Sequence, residues 1–142
     1  MRLSRESRYA LEALSVLAAR PLGEYVESRT LAAEAKLPAA FLSKIMPSIA
    51  RSDVLSSARG KGYRLERAPE TITLGEILRA VEGTEVIWDS CIFWREECDE
   101  GDPCPLHFQW AEVKPVLREA MDAVTLADIR DHGIAAAGTL AG

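Results

Sequence analysis

At 142 residues, 48% hydrophobic and 27% charged, the chain suits one domain, or one small domain with an appended element, and is not globally disordered. It contains no run of about 18 apolar residues, which excludes a membrane-spanning helix and, with it, a membrane partner. The net charge of −5 conceals an asymmetry: residues 1–67 carry 12 Lys/Arg against 7 Asp/Glu, and residues 68–142 carry 5 against 15. A basic half beside an acidic one points to a polyanion partner for the first and a different task for the second.

The stretch Ala10 to Leu22 follows a basic start but is interrupted by Glu12. Its apolar residues recur at helical spacing, as in a core helix and not a leader, so a cytoplasmic protein is expected. Ser4 to Ala19 is predicted as a helix with Ser4 as N-cap and Tyr9, Ala13, Leu14 and Leu17 on one face. Pro21 and Gly23 end it, and Glu24-Tyr25-Val26 is extended. A second helix is predicted from Arg29 to Ala35, capped by Ser28. After a tight turn at Lys36-Leu37, Pro38 opens a third helix running to Arg51.

In the third helix Leu42, Ile45, Met46 and Ile49 form the buried stripe, leaving Ala40, Ser43, Lys44, Pro47 and Arg51 outside. Pro47 removes a backbone bond and is expected to kink the helix. Val54 to Ala58 and Tyr63 to Leu65 read as strands joined by the basic turn Arg59-Gly60-Lys61-Gly62. Two helices joined by a turn and followed by a basic hairpin make a winged helix-turn-helix. A helix with a small, basic outer face can lie in the major groove, about 12 Å wide, where base edges are readable. The expected contacts to double-stranded DNA are Arg2, Arg5, Arg29, Ala40, Ser43, Lys44, Arg51, Arg59 and Lys61.

A helix follows from Leu74 to Glu82, between a Thr73 cap and a Gly83 stop. Residues 84–103 look irregular. From Pro105 the pattern Leu106, Trp110, Val113, Leu117, Ala120, Met121 and Val124 predicts a long amphipathic helix, with Pro115 inside it. Its stripe, represented by Trp110, Val113, Leu117 and Met121, is expected to pair with its copy in a homodimer. The fold class is mainly α (α+β): a winged domain at 1–67, a connecting helix and cysteine-rich loop at 68–103, the dimerisation helix and C-terminal segment at 104–131, and a flexible tail at 132–142.

All three cysteines fall in one segment, spaced Cys91-x6-Cys98-x5-Cys104-x2-His107. Three thiolates and an imidazole form a four-ligand set suited to zinc or to an iron–sulfur cluster. The gaps are wider than the paired spacing usual for zinc, which leans towards a cluster without deciding. An odd cysteine count in a reducing compartment argues against a disulfide. No oxyanion or substrate-binding motif accompanies the thiols, so no enzyme is expected.

Several motifs in order resemble the IscR/NsrR/RirA/CymR family of bacterial winged-helix transcription regulators. They are Met1-Arg2-Leu3-Ser4 with Arg8-Tyr9-Ala10, Phe41 to Ile45, Ser57-Ala58-Arg59-Gly60, Gly75 to Gly83, the cysteine segment ending Cys104-Pro105-Leu106-His107, and Thr125 to Ile129. The resemblance, which reaches to about residue 131, implies a DNA-binding homodimer, expected to be a repressor. It also implies an iron–sulfur cluster sensing redox state, nitric oxide, iron or cluster supply. Cys91, Cys98 and Cys104 match the family's cysteines, and His107 matches the histidine that completes a [2Fe–2S] site. Some members instead use an acidic residue near the N-terminus of the partner subunit in support of a [4Fe–4S] cluster. This chain has Arg8 there and Glu12 one turn later, which favours [2Fe–2S]. The wing is shorter than the family's. Zinc without a sensing role is the alternative.

Overall fold

The computed structural model describes residues 2–83, 86 and 88–134. Helix α1 (Arg5–Ala18) runs through the centre and packs against α2 (Ser28–Ala35), α3 (Ala39–Ala50), α4 (Leu74–Glu82) and α6 (Leu126–His132). Strands β1 (Leu55–Ala58) and β2 (Gly62–Leu65) form the antiparallel wing, and α5 (His107–Ala123) is the long C-terminal helix. The expected winged-helix architecture is thus present.

Ser4 caps α1 as its spacing required, accepting from the Ser7 N–H at 3.1 Å. The cap of α2 differs from expectation: it is Glu27, without a side-chain bond, and Ser28 is already helical. Lys36 closes α2 in the left-handed region (φ 57°), and the Leu37 N–H reaches back to the Ala32 carbonyl at 2.9 Å, a Schellman pattern. Pro38 keeps an extended ψ of 135° and serves as the N-cap of α3, so the helix starts at Ala39, one residue after the predicted start. Leu42, Ile45, Met46 and Ile49 are all buried. Four anchors on one face hold the helix continuous through Pro47, which is exposed.

The wing pairs Leu55 with Leu65 and Ala58 with Gly62, so its turn is Arg59-Gly60-Lys61. Val26 bridges to the free edge of β2, exchanging backbone bonds of 2.8 and 2.9 Å with Tyr63. Gly62 is demanded by this contact: at φ 98°, its Cβ would stand 2.0 Å from the Val26 carbonyl oxygen.

After a 3-10 turn (Pro69–Thr71), α4 starts with a full capping box between Thr73 and Glu76. Arg67 clamps this corner, bonding the Glu76 carboxylate at 2.8 Å and Asp53 at 3.0 Å. The Arg67 hydrogen bond, aided by the Thr73 N–H and opposed by burial, holds Glu76 below the usual carboxylate range. The chain returns after α5 to bury Leu126 in the same core as Leu14 and Met46. Arg130 on α6 donates to the Ala18 carbonyl at the C-terminal end of α1 (3.2 Å). The tail expected from residue 132 starts with the last residue of α6, and residues 135–142 lie outside the described residues.

No helix among the described residues is long and apolar enough to cross a membrane. Gly62→Ala is expected to lower the thermal midpoint by about 5–10 °C through positive-φ strain and the Val26 clash. Gly60→Ala, with open space around its Cβ, should cost less. Circular-dichroism melts of both variants test the difference.

Candidate metal centre and nucleic-acid interface

The cysteine loop is rooted in a small second core. Trp88 is 1% exposed and packs with Leu78 and Val86 against Leu117 and Met121 of α5. The Arg79 guanidinium lies 5.3 Å from the Trp88 ring centroid and is paired with Asp122 at 3.3 Å and Asp89 at 3.8 Å. Arg118 reaches Asp89 at 3.0 Å and the Trp88 carbonyl at 3.4 Å, and the Trp110 indole N–H donates to the Ser90 carbonyl at 3.0 Å. The loop therefore leaves from a point fastened to both α4 and α5.

Within the loop, backbone turns and two acids shape the path. Trp94 takes φ 61° and its N–H closes a turn on the Cys91 carbonyl (3.1 Å). Asp99 accepts from the Gly101 and Asp102 N–H groups at 2.8 and 2.9 Å, and Asp102 pairs with Arg95. Two of the five acids between Glu96 and Asp102 thus serve the loop's own structure. Asp-x-Gly was a readable turn signal, whereas nothing in the sequence marked Arg79 or Arg118 as anchors.

The result is convergence of the three thiols. The sulfurs of Cys91, Cys98 and Cys104 all lie within 4.8 Å of one another, Cys104 buried and the other two half-buried. His107 touches this set from one side, its Nδ1 3.1 Å from the Cys98 sulfur, and falls outside the mutual 4.8 Å limit. The helix expected from Pro105 starts at His107, so Cys104 is not on its face. Cys104 precedes a proline and is steered away from helical conformation.

The donor chemistry fits a thiophilic metal or an iron–sulfur cluster. Around one tetrahedral ion with bonds of about 2.3 Å, sulfurs stand about 3.8 Å apart, which the observed limit admits. A cluster spreads its ligands over more than one iron and calls for a wider setting of the same loop. The thiols are not equivalent. Backbone N–H groups of Arg95 and Phe93 lower the Cys91 thiol from 9.0 to about 7, while burial pushes the Cys104 thiol up.

The residues expected to meet DNA are all exposed: Arg2, Arg29, Ala40, Ser43, Lys44, Arg51, Arg59 and Lys61. Ser43 is already committed in part, donating to the Ala39 carbonyl at 3.1 Å. Among the described residues none of the six cations in this set makes an ion pair. By contrast Arg20, Arg67, Arg79, Arg95, Arg118 and Arg130 are each paired with carboxylates. Along α5, Phe108, Val113 and Val116 are exposed, whereas Leu117 and Met121 turn partly towards Trp88.

The model of the Rrf2 family, described as iron-dependent transcriptional regulators, matches residues 3–132. The chain belongs to the Rrf2 family. The regulator NsrR of Geobacillus kaustophilus is 28% identical over 131 residues, spanning 91% of this chain and 89% of that one. Among solved structures, CymR, the global cysteine regulator of B. subtilis, superposes with a TM-score of 0.69 at 25% identity, covering 92% of this chain and 97% of CymR. T. potens IscR gives 0.68 at 25% identity, covering 96% and 93%. This Rrf2 protein is accordingly a winged-helix transcription regulator, and its relatives are regulators, not enzymes, as expected.

In metal-free protein, Cys91 is expected to alkylate first near neutral pH, its rate rising through pH 7 as the thiolate forms, with Cys104 lagging. Peptide mass spectrometry of iodoacetamide-treated protein across pH 6–9 checks the order.

Proposed function

We propose that this Rrf2 regulator is a homodimeric repressor. Its hold on a double-stranded DNA operator is controlled by an iron–sulfur cluster, [2Fe–2S], on Cys91, Cys98, Cys104 and His107. The observation that carries the reading is the convergence of three thiols in a loop rooted between α4 and α5. The family's description as iron-dependent and the relatives named NsrR and IscR support it. When bound, the cluster supplies a redox-active, NO-reactive centre and a covalent tie between loop and helix.

The chain's own residues supply the rest. Residues 1–67 form the DNA-binding unit, with Ala40, Ser43 and Lys44 of α3 presented to the major groove. Arg2, Arg29, Arg51, Arg59 and Lys61 supply phosphate contacts, with Arg59 and Lys61 at the wing tip. Cys104 and His107 flank the start of α5, so ligation orders that end of the helix. Trp110, Val113, Leu117 and Met121 form the dimer stripe, joined by the exposed Val116. Ligation state then changes the population of dimers competent for DNA.

A second reading, zinc as a structural ion without sensing, is favoured by the close thiol spacing. Metal analysis separates the two. Anaerobically purified protein is expected to be brown, with visible charge-transfer bands and matching iron and sulfide. Colourless protein holding zinc would sink the cluster. DNA selection on holo and chelator-stripped protein in parallel identifies the binding form, with a log–log salt slope of about −0.9 per neutralised phosphate.

The dimer has its own test. Val113→Glu combined with Val116→Glu is expected to give a monomer in sedimentation velocity and to weaken operator binding at least about tenfold, since one half-site is lost. A double variant that stays dimeric would place the interface elsewhere.

A further inference from the structure

We infer that Arg64, held by Tyr25 and flanked by Lys61, forms a binding site for a DNA backbone phosphate at the root of the wing. The inference rests on the DNA-binding reading above and extends the interface beyond the wing tip.

The Val26 bridge creates the site. This antiparallel pairing with Tyr63 brings Tyr25 alongside Arg64, and Arg64 in turn pairs with Ser56 across the hairpin. Successive residues of a strand face opposite sides. Leu65 is buried and Tyr63 packs against the core, so Arg64 lies on the outer face with Tyr25. The Arg64 guanidinium carbon is 4.7 Å from the Tyr25 ring centroid, and the Lys61 Nζ is 5.8 Å from it.

Two cations thus share one aromatic ring, and they repel each other. Elsewhere the protein settles its half-buried arginines with carboxylates, as with Arg67 and Arg130. Here it does not. Among the described residues Arg64 makes no ion pair and no hydrogen bond, and its Nε is buried without a partner. Glu27 and Glu66, the acids nearest in strand and sequence, are exposed and pair with neither cation. A guanidinium stacked on an aromatic face keeps its fork rigid and ready for a planar or tetrahedral oxyanion. One phosphate would neutralise the paired positive charge and supply the missing acceptors. A phosphate, and not a base edge, fits because Arg64 projects from the body of a strand and not from the wing tip.

The alternative is that the stack only braces the hairpin. The two roles differ in salt dependence. Fluorescence anisotropy with a random-sequence duplex of about 30 base pairs, titrated from about 50 to 200 mM salt, reads the phosphate term without knowledge of the operator. Arg64→Met keeps the stem and removes the charge. It is expected to reduce the log–log slope by about one and weaken binding equally on unrelated sequences, with the thermal midpoint unchanged. Tyr25→Leu, which frees the guanidinium, should weaken binding at every salt concentration, and Tyr25→Phe should fall between it and the parent. A parental slope in Arg64→Met, with or without a lowered midpoint, overturns the phosphate site if Lys44→Met still lowers it. A parent protein with no salt-dependent DNA binding overturns the DNA-binding reading itself, and this inference with it.

Discussion

The elements outside the winged domain are organised around an antiparallel bridge between Thr73 and Thr125. Each threonine is the N-cap of a helix, and each belongs to a complete capping box, Thr73 with Glu76 and Thr125 with Asp128. Helices α4 and α6 therefore start side by side, joined by backbone bonds of 2.8 Å from Leu74 to the Val124 carbonyl and from Leu126 to the Ile72 carbonyl. Such caps are each worth about 0.5–2 kcal/mol, and here they share one anchor. The bridge pins the C-terminal end of α5. Gly75 lets α4 approach that end: a Cβ there would meet the Asp122 carboxylate at 1.9 Å. Among the described residues the N-terminal end of α5 has no comparable backbone tie to the core and is held through the cysteine loop and the Trp110–Ser90 bond. One long helix is thus fastened firmly at one end and through the candidate metal centre at the other.

The charge asymmetry acquires a structural meaning in the same frame. In the acidic half, Arg79, Arg95, Arg118 and Arg130 are all taken up by local carboxylates. They hold the loop root, the α4–α5 contact and the fold-back of α6. In the basic half Arg20 and Arg67 stand in such pairs, while Arg2, Arg29, Lys44, Arg51, Arg59 and Lys61, among the described residues, keep their charge for solvent or a partner. Acid excess in one half saturates that half's own arginines and leaves the other half's field intact. Exposed pairs add little stability individually, so position is what these contacts contribute.

The parts legible from sequence were those written in local chemistry. The Leu42, Ile45, Met46, Ile49 stripe, the Thr73 cap, the Gly83 stop and the wing turn each depend on residues within one turn of each other. Boundaries set by backbone torsion were less so: Pro38 became a cap because its ψ stayed extended, and Cys104 was kept out of α5 by the proline behind it. Contacts between distant segments left no signal. Periodicity gave the apolar face of α5 but could not divide it, and Trp88 claims Leu117 and Met121 in part while Val113 and Val116 stay exposed. The three thiols were legible as a candidate set from their spacing, yet their gathering, with the His107 imidazole to one side, follows a loop path shaped by Arg95, Asp99 and the loop root.

The two fastenings of α4 bear on how a metal signal could reach DNA under the proposed reading. At its start α4 is held by its capping box and by Arg67, neither of which touches the cysteine loop. At its end Glu82 accepts from the Ser4 and Ser7 hydroxyls at the N-terminus of α1, the latter at 2.7 Å. Midway, α4 meets the loop root through the Leu78–Trp88 packing and through Arg79, which pairs with Asp89 and keeps Asp122 as a second partner. Loss of metal would therefore spare the winged domain, whose core and caps are complete without the loop. What it would free is the N-terminal half of α5, which carries the exposed Phe108 and Val113. A dimer reads DNA through the separation of its two recognition helices, one helical turn of about 34–36 Å or a multiple. On the proposed reading, freedom at that end of α5 would change the separation and orientation of two intact winged domains, so control would act on the spacing of α3 and its copy and leave the fold of each unaltered.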